Sequence, residues 1–290
     1  MKTELKVFLL FQLAGAITAC QGSPQTSVPA PVATPSRLAE APATKTETSE
    51  EVSVKMVFVP AGEFPMGSET GDADERPIHS VYLDAFYIDM FEVTNGHYRL
   101  CVDDGACSPP LETGLSTRAS YYGNPDFDDF PVVYVNWEMA QAYCAWRGMG
   151  LPSEAQWEKA ARGTDGRTYP WGEGIDCQHA NYYRQEGNDF IACVGDTARV
   201  GSYERGQSPY GAYDMTGNVW EWVGDWYDVS YYLESPPSNP PGPDSGRARV
   251  VRGGSWGFSD FSVRAARRYW FHPANALENV GFRCARDAGN

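Results

Sequence analysis

The sequence predicts a single α+β domain that is rich in loops and held together by disulfide bonds. Three observations support this prediction. Segments that alternate as strands do are followed by segments with the spacing and capping residues of helices. No second series of helices and strands follows that would indicate a parallel sheet. The remaining chain is dense in Gly, Pro, Trp and Tyr, and six cysteines lie beyond residue 100.

Residues 1–19 are predicted to be a signal peptide. "MKTELK" is basic, and the apolar run "VFLLFQLAGAI" after it is too short to span a membrane as a helix. "ITAC", which ends at Cys20, resembles the bacterial lipobox, whose cysteine is lipidated and becomes the first residue. The alternative is an ordinary signal peptide with a stray cysteine. The resemblance, with Gln21 next, implies an exported protein anchored by lipid to the bacterial cell envelope, at the outer membrane.

Residues 20–52 are predicted to be a disordered tether, which leaves residues 53–290 for the folded domain. The tether is rich in Pro, Ala, Ser and Thr and lacks apolar periodicity, so burial cannot offset the entropy of ordering it. The formal net charge of the chain is −15. This charge excludes nucleic acid as a partner, since phosphate binding requires a basic face. It suits a solvated acidic surface or a site for a hard cation.

The first part of the domain is predicted to contain strands and a short helix. "MVFVPAGEFPMGS" alternates and breaks at Gly and Pro, as a strand and turn do. "SVYLDAFYIDMFEVT" alternates through Val81, Leu83 and Phe86 and predicts one further strand. Thr94 then has the position of an N-cap for a helix through "NGHYRLCV".

Two helices are predicted in the middle of the chain. "VNWEMAQAYCAWRGMG" is predicted to begin after its cap Asn136 and to end at Gly148 or Gly150. "LPSEAQWEKAARG" is predicted to begin with a capping box formed by Ser153 and Gln156.

The six cysteines of the domain predict a disulfide framework, because their number is even and the chain is predicted to be exported. The spacing encloses one short loop with a glycine and one longer polar loop, and the two cysteines that remain would tie a helix to the C-terminus. No thiol would then be free for catalysis. The predicted pairs are Cys101–Cys107, Cys177–Cys193 and Cys144–Cys284.

Four stretches together resemble the formylglycine-generating enzyme family, the sulfatase-modifying factors. They occur in the family's order and cover most of residues 56–287. The resemblance implies a mixed variant of the C-type lectin fold with little regular secondary structure. The stretches are "PAGEFPMGSETGDADERPIHSVYLDAFYIDMFEVTNGHY", "PVVYVNWEMAQAYCAWRGMGLPSEAQWEKAARG", "GAYDMTGNVWEWVGDWY" and "RVVRGGSW…NVGFRCARD".

The resemblance also shows where this chain departs from the oxidases of the family. Those enzymes bind copper(I) with two cysteines after the Gly-Gly-Ser turn, and the matching positions here are Phe258 and Val263. Neither side chain can bind a soft copper ion, so we expect no copper and no formylglycine-generating activity. A further disulfide of the vertebrate enzymes falls on Ala161 and Arg268 and is also missing. The Cys144–Cys284 pair matches a disulfide that those enzymes share.

The resemblance implies a structural calcium ion at "DMTGNVWEW". Oxygen ligands around a tight glycine turn suit a hard cation. The alternative is that Asp214 caps a turn and Glu221 is a satisfied core acid. The implied ligands are the side chain of Asp214, the carbonyls of Met215, Gly217 and Val219, and the carboxylate of Glu221.

A second calcium site of the family would use Asn181 and the carbonyl of Tyr182, with Asp189 or Asp196 as the acid. Neither acid aligns cleanly, which leaves this site open. A non-haem iron site would need two histidines and a carboxylate at ligand spacing, and the histidines do not have that spacing. The histidines are His79, His97, His179 and His272.

The C-terminal strip of the family forms a peptide-binding groove, and a related set of surface lipoproteins diversifies the same strip on a display scaffold. Large aromatic residues and arginines are typical of recognition surfaces, although any one aromatic residue could simply be part of the core. The groove residues that the resemblance implies are Trp256, Phe258, Phe261, Arg264, Arg267, Tyr269, Trp270 and Phe271.

We predict that the protein is an exported lipoprotein. Its domain is predicted to bind an unknown peptide or protein and not to act as the formylglycine-generating oxidase. The alternative is a copper-independent oxidase or hydroxylase of a periplasmic peptide or small molecule. The wider family includes members that lack the cysteine pair and are associated with oxidation of exported peptides, which keeps this alternative open.

Overall fold

The computed structural model describes residues 54–289, in which three helices and eleven strands are short relative to the loops that join them. The predicted anchor Cys20 and the tether at 20–52 lie outside the described residues. In chain order the elements are β1 (Met56–Val59), β2 (Gly62–Met66), β3 (His79–Leu83), β4 (Phe86–Asp89), α1 (Asn95–Asp103), α2 (Trp137–Trp146), α3 (Glu154–Arg162), β5 (Tyr183–Glu186), β6 (Asp189–Ala192), β7 (Trp220–Trp226), β8 (Arg249–Arg252), β9 (Tyr269–Phe271), β10 (Val280–Phe282) and β11 (Ala285–Asp287).

The three helices begin where the sequence predicts. Thr94 caps α1 and Asn136 caps α2, each by accepting a hydrogen bond from a backbone N–H three residues on. Ser153 accepts from the N–H of Gln156 at 3.1 Å, and the Gln156 side chain accepts from the N–H of Ser153 at 2.9 Å. The predicted capping box of α3 is therefore confirmed. Such caps satisfy N–H groups that have no partner inside the helix.

The segment predicted as one strand from residue 80 to residue 94 is two strands. β3 pairs with β2, whereas β4 lies between β1 and β11 in another sheet. The burial explains the break, because Leu83 and Phe86 are both buried although they are three residues apart. A continuous strand would direct side chains three residues apart to opposite faces. The chain therefore turns at Asp84, whose N–H donates to Asn239 Oδ1 at 2.9 Å.

A four-stranded sheet with the order β10-β7-β8-β9 forms the centre of the domain. β10 runs parallel to β7, and the other neighbours are antiparallel. Side chains alternate along β8, so that Val250 and Val251 lie in two different apolar clusters. α3 packs in the first cluster, and α1 and α2 pack in the second. The two clusters together are the core of the domain.

The three predicted disulfides are present and close loops of different size. Their Cα atoms are 5.3, 5.5 and 5.3 Å apart. The longest link joins α2 to the segment between β10 and β11, across 140 residues. Within residues 54–289 no helix is long and apolar enough to cross a bilayer. The disulfide-linked pairs are Cys101–Cys107, Cys144–Cys284 and Cys177–Cys193.

Candidate functional site

The turn from Asp214 to Val219 leads into β7 and contains two residues with left-handed backbone angles. Asp214 and Asn218 have left-handed φ angles of 57° and 60°, a region that few residues other than glycine adopt and that Asp and Asn tolerate best. Gly217 between them is required sterically, because an added Cβ would lie 2.3 Å from the carbonyl oxygen of Asn181. The chain thus accepts local strain to place this turn against Asn181. Strain of this kind is concentrated at functional sites.

Three buried carboxylates surround this turn, and one guanidinium lies among them. Both oxygens of Glu221 bind Arg283 at 2.6 Å, and Trp157 Nε1 also donates to Glu221 at 2.8 Å. Glu92 accepts from Asn218 Nδ2 at 2.6 Å. Burial raises the pKa of Asp214 to about 6, with the nearby Glu221 adding to the shift.

The same environment raises the pKa of Glu92 well above its usual range, first through burial and then through Asp214 and Glu221. If all three acids ionise, one arginine leaves two negative charges without compensation. A bound cation would relieve this excess charge.

The predicted calcium ligands at this turn fit a metal only in part. Asp214 lies at the turn with one oxygen on the N–H of Gly201 at 2.7 Å. The carboxylate of Glu221 accepts three hydrogen bonds from Arg283 and Trp157, which occupy most of its acceptor sites and leave little of it for a metal in this arrangement. Within residues 54–289, no group of three His, Cys, Asp or Glu side chains is placed to hold a metal. The carbonyls of Met215, Gly217 and Val219 would therefore supply most of the ligands.

The residues of the second predicted site do come together, with Asp196 rather than Asp189 as the acid. Asn181 Nδ2 donates to the carbonyl oxygen of Asp196 at 2.7 Å, whereas Asp189 is an exposed residue of β6. Arg118, which the sequence analysis did not predict, lies 3.0 Å from the Asp196 carboxylate. The carbonyl of Tyr182 accepts from the N–H of Cys193 at 3.0 Å.

The two positions that the family resemblance assigns to copper ligands hold apolar side chains that are packed against their neighbours. Val263 is completely buried, and its methyl group lies so close to Gly254 that an added Cβ there would be 2.5 Å away. The ring of Phe258 meets the ring of Trp220 edge to face, with centroids 5.4 Å apart. No thiol, imidazole or carboxylate lies at either position, so these side chains offer a soft metal no ligand.

The predicted groove residues divide between the two faces of the central sheet. Tyr269 and Phe271 lie on the face of Trp220 and Trp222, and the ring of Tyr269 stacks on Trp220 at 5.4 Å. Trp270 points to the other face, where it is 47% exposed and its ring lies 5.8 Å from Tyr227. Alternation along β9 causes this division.

The two predicted groove arginines are bound to acids of the loop between β2 and β3. Arg264 forms two hydrogen bonds with Glu75, at 2.7 and 2.8 Å. Arg267 pairs with Asp72. Phe261, which is 44% exposed, covers the guanidinium of Arg264 at 4.2 Å. These arginines are therefore structural in this arrangement. Phe258, Tyr269 and Phe271, with the partly buried Trp256 beside them, remain as a candidate ligand surface.

Three charged residues of the site were not predicted: Glu92, Arg118 and Arg283. Glu92 and Arg283 do occur in stretches that carry the family resemblance, "FEVTN" and "GFRC". Their pairing was not visible because their partners lie more than 60 residues away in sequence. Arg118 lies in an irregular segment where no local pattern indicates a partner.

Comparison with protein families and known proteins identifies the domain. Residues 41–288 match the family described as the sulfatase-modifying factor enzyme 1-like domain. The formylglycine-generating enzyme of Streptomyces coelicolor is 35% identical, and the match covers 80% of this chain and 89% of that enzyme. The inactive C-alpha-formylglycine-generating enzyme 2 of Bos taurus is 31% identical, with 82% and 89% covered.

A longer relative and two solved structures extend the comparison. Serine/threonine-protein kinase pkn1 of Chlamydia pneumoniae is 35% identical, and the match covers 82% of this chain but 39% of that protein. This chain thus matches about two fifths of the length of that relative. PvdO from Pseudomonas aeruginosa has a similar structure, with a TM-score of 0.65, 28% identity, and 80% and 94% of the two chains covered.

The Treponema denticola variable protein 1 follows, with a TM-score of 0.63, 25% identity, and 79% and 94% covered. The family model covers more than half of the chain, and the relatives and the structural neighbours agree with it. The chain belongs to the family of sulfatase-modifying factor enzyme 1-like domains.

Proposed function

We propose that this protein is a ligand-binding module of the bacterial cell envelope that does not generate formylglycine. One observation carries the proposal: Phe258 and Val263, at the positions that the family resemblance assigns to the copper ligands, are apolar side chains packed against other apolar groups. Generating formylglycine through copper needs two thiolates that this chain does not have there. The six cysteines of the described domain are all paired in disulfides and supply no substitute.

The proposed ligand is an extended peptide or a protein that contacts the aromatic face of the central sheet. Phe258, Tyr269 and Phe271 are each only partly buried there and border the fully buried Trp220 and Trp222. Large aromatic groups with an apolar body are the usual anchors of such contacts. Because Arg264 and Arg267 are paired with acids, the contact would depend on apolar surface more than on cationic side chains.

The proposed cofactor is a calcium ion at the Asp214 turn. The excess of buried negative charge around Asp214, Glu92 and Glu221 supports a cation there. Asp214 and backbone carbonyls would hold the ion, while Glu221 would keep Arg283 and Trp157 in place. The role of the ion would be structural, as it would fix the strained turn in front of β7.

The proposed location is the outer membrane, through lipid on Cys20. The support is the lipobox-like "ITAC" and the tether-like composition that follows it. The lipid would connect the protein to the membrane, and residues 20–52 would separate the domain from the lipid headgroups.

The deciding experiment incubates the purified full chain with a cysteine-containing sulfatase peptide and copper(I), and then examines the peptide by mass spectrometry. We expect an unmodified cysteine and no tight copper binding. The matched variant Phe258→Cys with Val263→Cys should gain copper binding if the surrounding fold is retained. Formylglycine produced by the wild-type chain would overturn the proposal. Oxygen consumption without copper would support copper-independent oxidation instead.

A further inference from the structure

The carboxylate of Asp196 is surrounded by donors although it is almost completely buried. The N–H of Thr197 donates to one oxygen at 2.5 Å, and the hydroxyl of Thr117 donates to the other. Arg118 Nε lies 3.0 Å from that second oxygen. The exposed fraction of the Asp196 side chain is 7%. A buried carboxylate requires compensation of this kind, and these three donors supply it.

Arg118 holds this region with every nitrogen of its guanidinium group. In addition to the contact with Asp196, Nη1 donates to the Thr197 hydroxyl at 3.2 Å and Nη2 donates to the Thr197 carbonyl at 3.1 Å. The guanidinium carbon lies over the rings of Phe127 and Phe130, 4.8 and 5.1 Å from their centres. Such stacking favours a planar, weakly hydrated cation over a compact one.

A calcium ion does not fit beside this arrangement. Calcium needs about six to eight oxygen ligands. The oxygens of Asp196 and the carbonyl of Tyr182 already accept hydrogen bonds. Among the described side chains of this site, those of Asn181 and Asp196, only Asn181 Oδ1 is a buried oxygen with no hydrogen-bond partner. One free oxygen is far from a coordination shell.

We propose that the guanidinium of Arg118 takes the place of a metal ion at the Asn181–Asp196 site, so that this site binds no calcium. The arginine supplies the positive charge that Asp196 requires. It also ties the irregular segment around Phe127 and Phe130 to the loop at Asp196 and Thr197. Since arginine stays charged at every physiological pH, the connection would not depend on calcium supply.

The test compares variants of the full chain for calcium binding by titration calorimetry and for thermal stability. All variants carry Asp214→Asn, which removes the calcium site proposed at the Asp214 turn, on which this test design depends. In this background we expect no calcium binding and no change in melting temperature on addition of calcium. Calcium binding that is lost on adding Asp196→Asn would overturn the proposal. That comparison needs no variant at Arg118, so it stands even if such a variant fails to fold.

Arg118→Met keeps the apolar stem and removes the charge. We expect it to lower the melting temperature by about 5 °C or more, because a buried acid is left unpaired, and to gain a rise in melting temperature with calcium. The matched control is Arg199→Met, since the pair of Arg199 with Asp129 is 60% and 62% exposed. Equal losses in the two variants, or no calcium response in Arg118→Met, would overturn the proposal. If the Asp214 turn itself binds no calcium, that result is visible separately, because the wild-type chain and Asp214→Asn then give the same calcium titration.

Discussion

At the scale of single residues, arginines organise the centre of this domain. Arg252, Arg268 and Arg283 are 0 to 1% exposed, and each contacts a buried glutamate on a distant element. Removing one member of such a pair leaves a buried charge alone, which costs about 3–5 kcal/mol. The pairs thus specify which elements meet. They are Arg252–Glu158, Arg268–Glu154 and Arg283–Glu221.

Asp225 is the buried acid whose titration should be visible near neutral pH. Burial, with Glu154 nearby, raises the pKa of Asp225 to about 7. In the unfolded chain its pKa is about 3.9, so the folded state binds the proton more tightly. Stability from this group is therefore greatest at low pH and is lost as pH rises towards 7. We expect the free energy of unfolding to fall over this range by at most ~1.4 kcal/mol per pH unit for this group.

The substitution Asp225→Asn should reduce the pH dependence, because it removes one titrating carboxyl and keeps an oxygen for the N–H of Glu154, which donates to Asp225 at 2.7 Å. The slope that remains belongs to other buried acids such as Asp214, whose pKa is about 6. Chemical denaturation between pH 5 and pH 8 measures the slope. Asp228→Asn is the control, since hydrogen bonds with Ser230 lower the pKa of Asp228 and move its effect to acid pH. Equal slopes in wild type and Asp225→Asn would contradict the assignment.

Single residues were also where prediction from the sequence reached its limit. That Phe258 and Val263 carry no thiol follows from their identity alone. The absence of a copper site at these positions rests on the family resemblance and stays a prediction. The role of Arg264 could not be predicted, since its partner Glu75 lies 189 residues earlier in sequence. The sequence shows the same residue type whether an arginine lies on a recognition surface or in a buried ion pair. Only the fold distinguishes these two cases.

At the scale of elements, local signals predicted the helices and the segments that contain the first strands, but not the break between β3 and β4. The caps Thr94, Asn136 and Ser153 act within three residues, so sequence alone locates them. The break between β3 and β4 depends on two sheets that form with distant partners. The alternation of buried side chains nevertheless indicates this break. The buried residues of β3 have odd numbers, as Val81 does, whereas those packed in the core from β4 include even-numbered residues such as Phe86. The same alternation would have placed the neighbours Tyr269 and Trp270 on opposite faces of the sheet, and so would have divided the predicted groove residues between two faces.

The helix α3 offers a direct test of its cap. Ser153→Ala removes the hydroxyl that accepts from the N–H of Gln156 and should cost about 1 kcal/mol. For a domain of this size that loss lowers the melting temperature by about 2–4 °C. Differential scanning calorimetry gives the value. Ser245→Ala, at an exposed position outside the helices and strands, is the matched control and should change little. A loss as large in the control would show that the cap is not the cause.

The turn before β7 offers a test of the proposed calcium ion. A chelator should lower the melting temperature of the wild-type chain, and calcium should restore it. Binding at a hundred times Kd contributes about 2.7 kcal/mol, which gives a readable shift. Asp214→Asn should abolish the response. Glu221→Gln should weaken the fold through Arg283 and keep a calcium response, because its carboxylate already binds that arginine. A wild-type chain that ignores both chelator and calcium would contradict the site.

At the scale of the whole molecule, charge and core have separate roles. The net charge of −15 belongs to the complete chain, whereas the buried arginines of the core are matched by acids. The excess of acid must therefore be carried largely where solvent screens it. Such a surface favours solubility and repels nucleic acid and anionic lipid. Attachment to a membrane would then depend on lipid on the chain.

The attachment can be tested by moving or removing the proposed lipid. Cys20→Ser removes the thiol that would be acylated, so we expect the protein to move from the membrane fraction to the soluble fraction. Within residues 54–289 no helix could span a bilayer in its place. Gln21→Asp keeps Cys20, and the lipobox resemblance implies that it transfers the protein from the outer to the inner membrane. Immunoblots of separated membranes, with Ser23→Ala as the control, measure both effects. Cys20→Ser protein that stays in the membrane at wild-type levels would exclude the lipid anchor, and Gln21→Asp protein that stays in the outer membrane would exclude the assigned sorting signal.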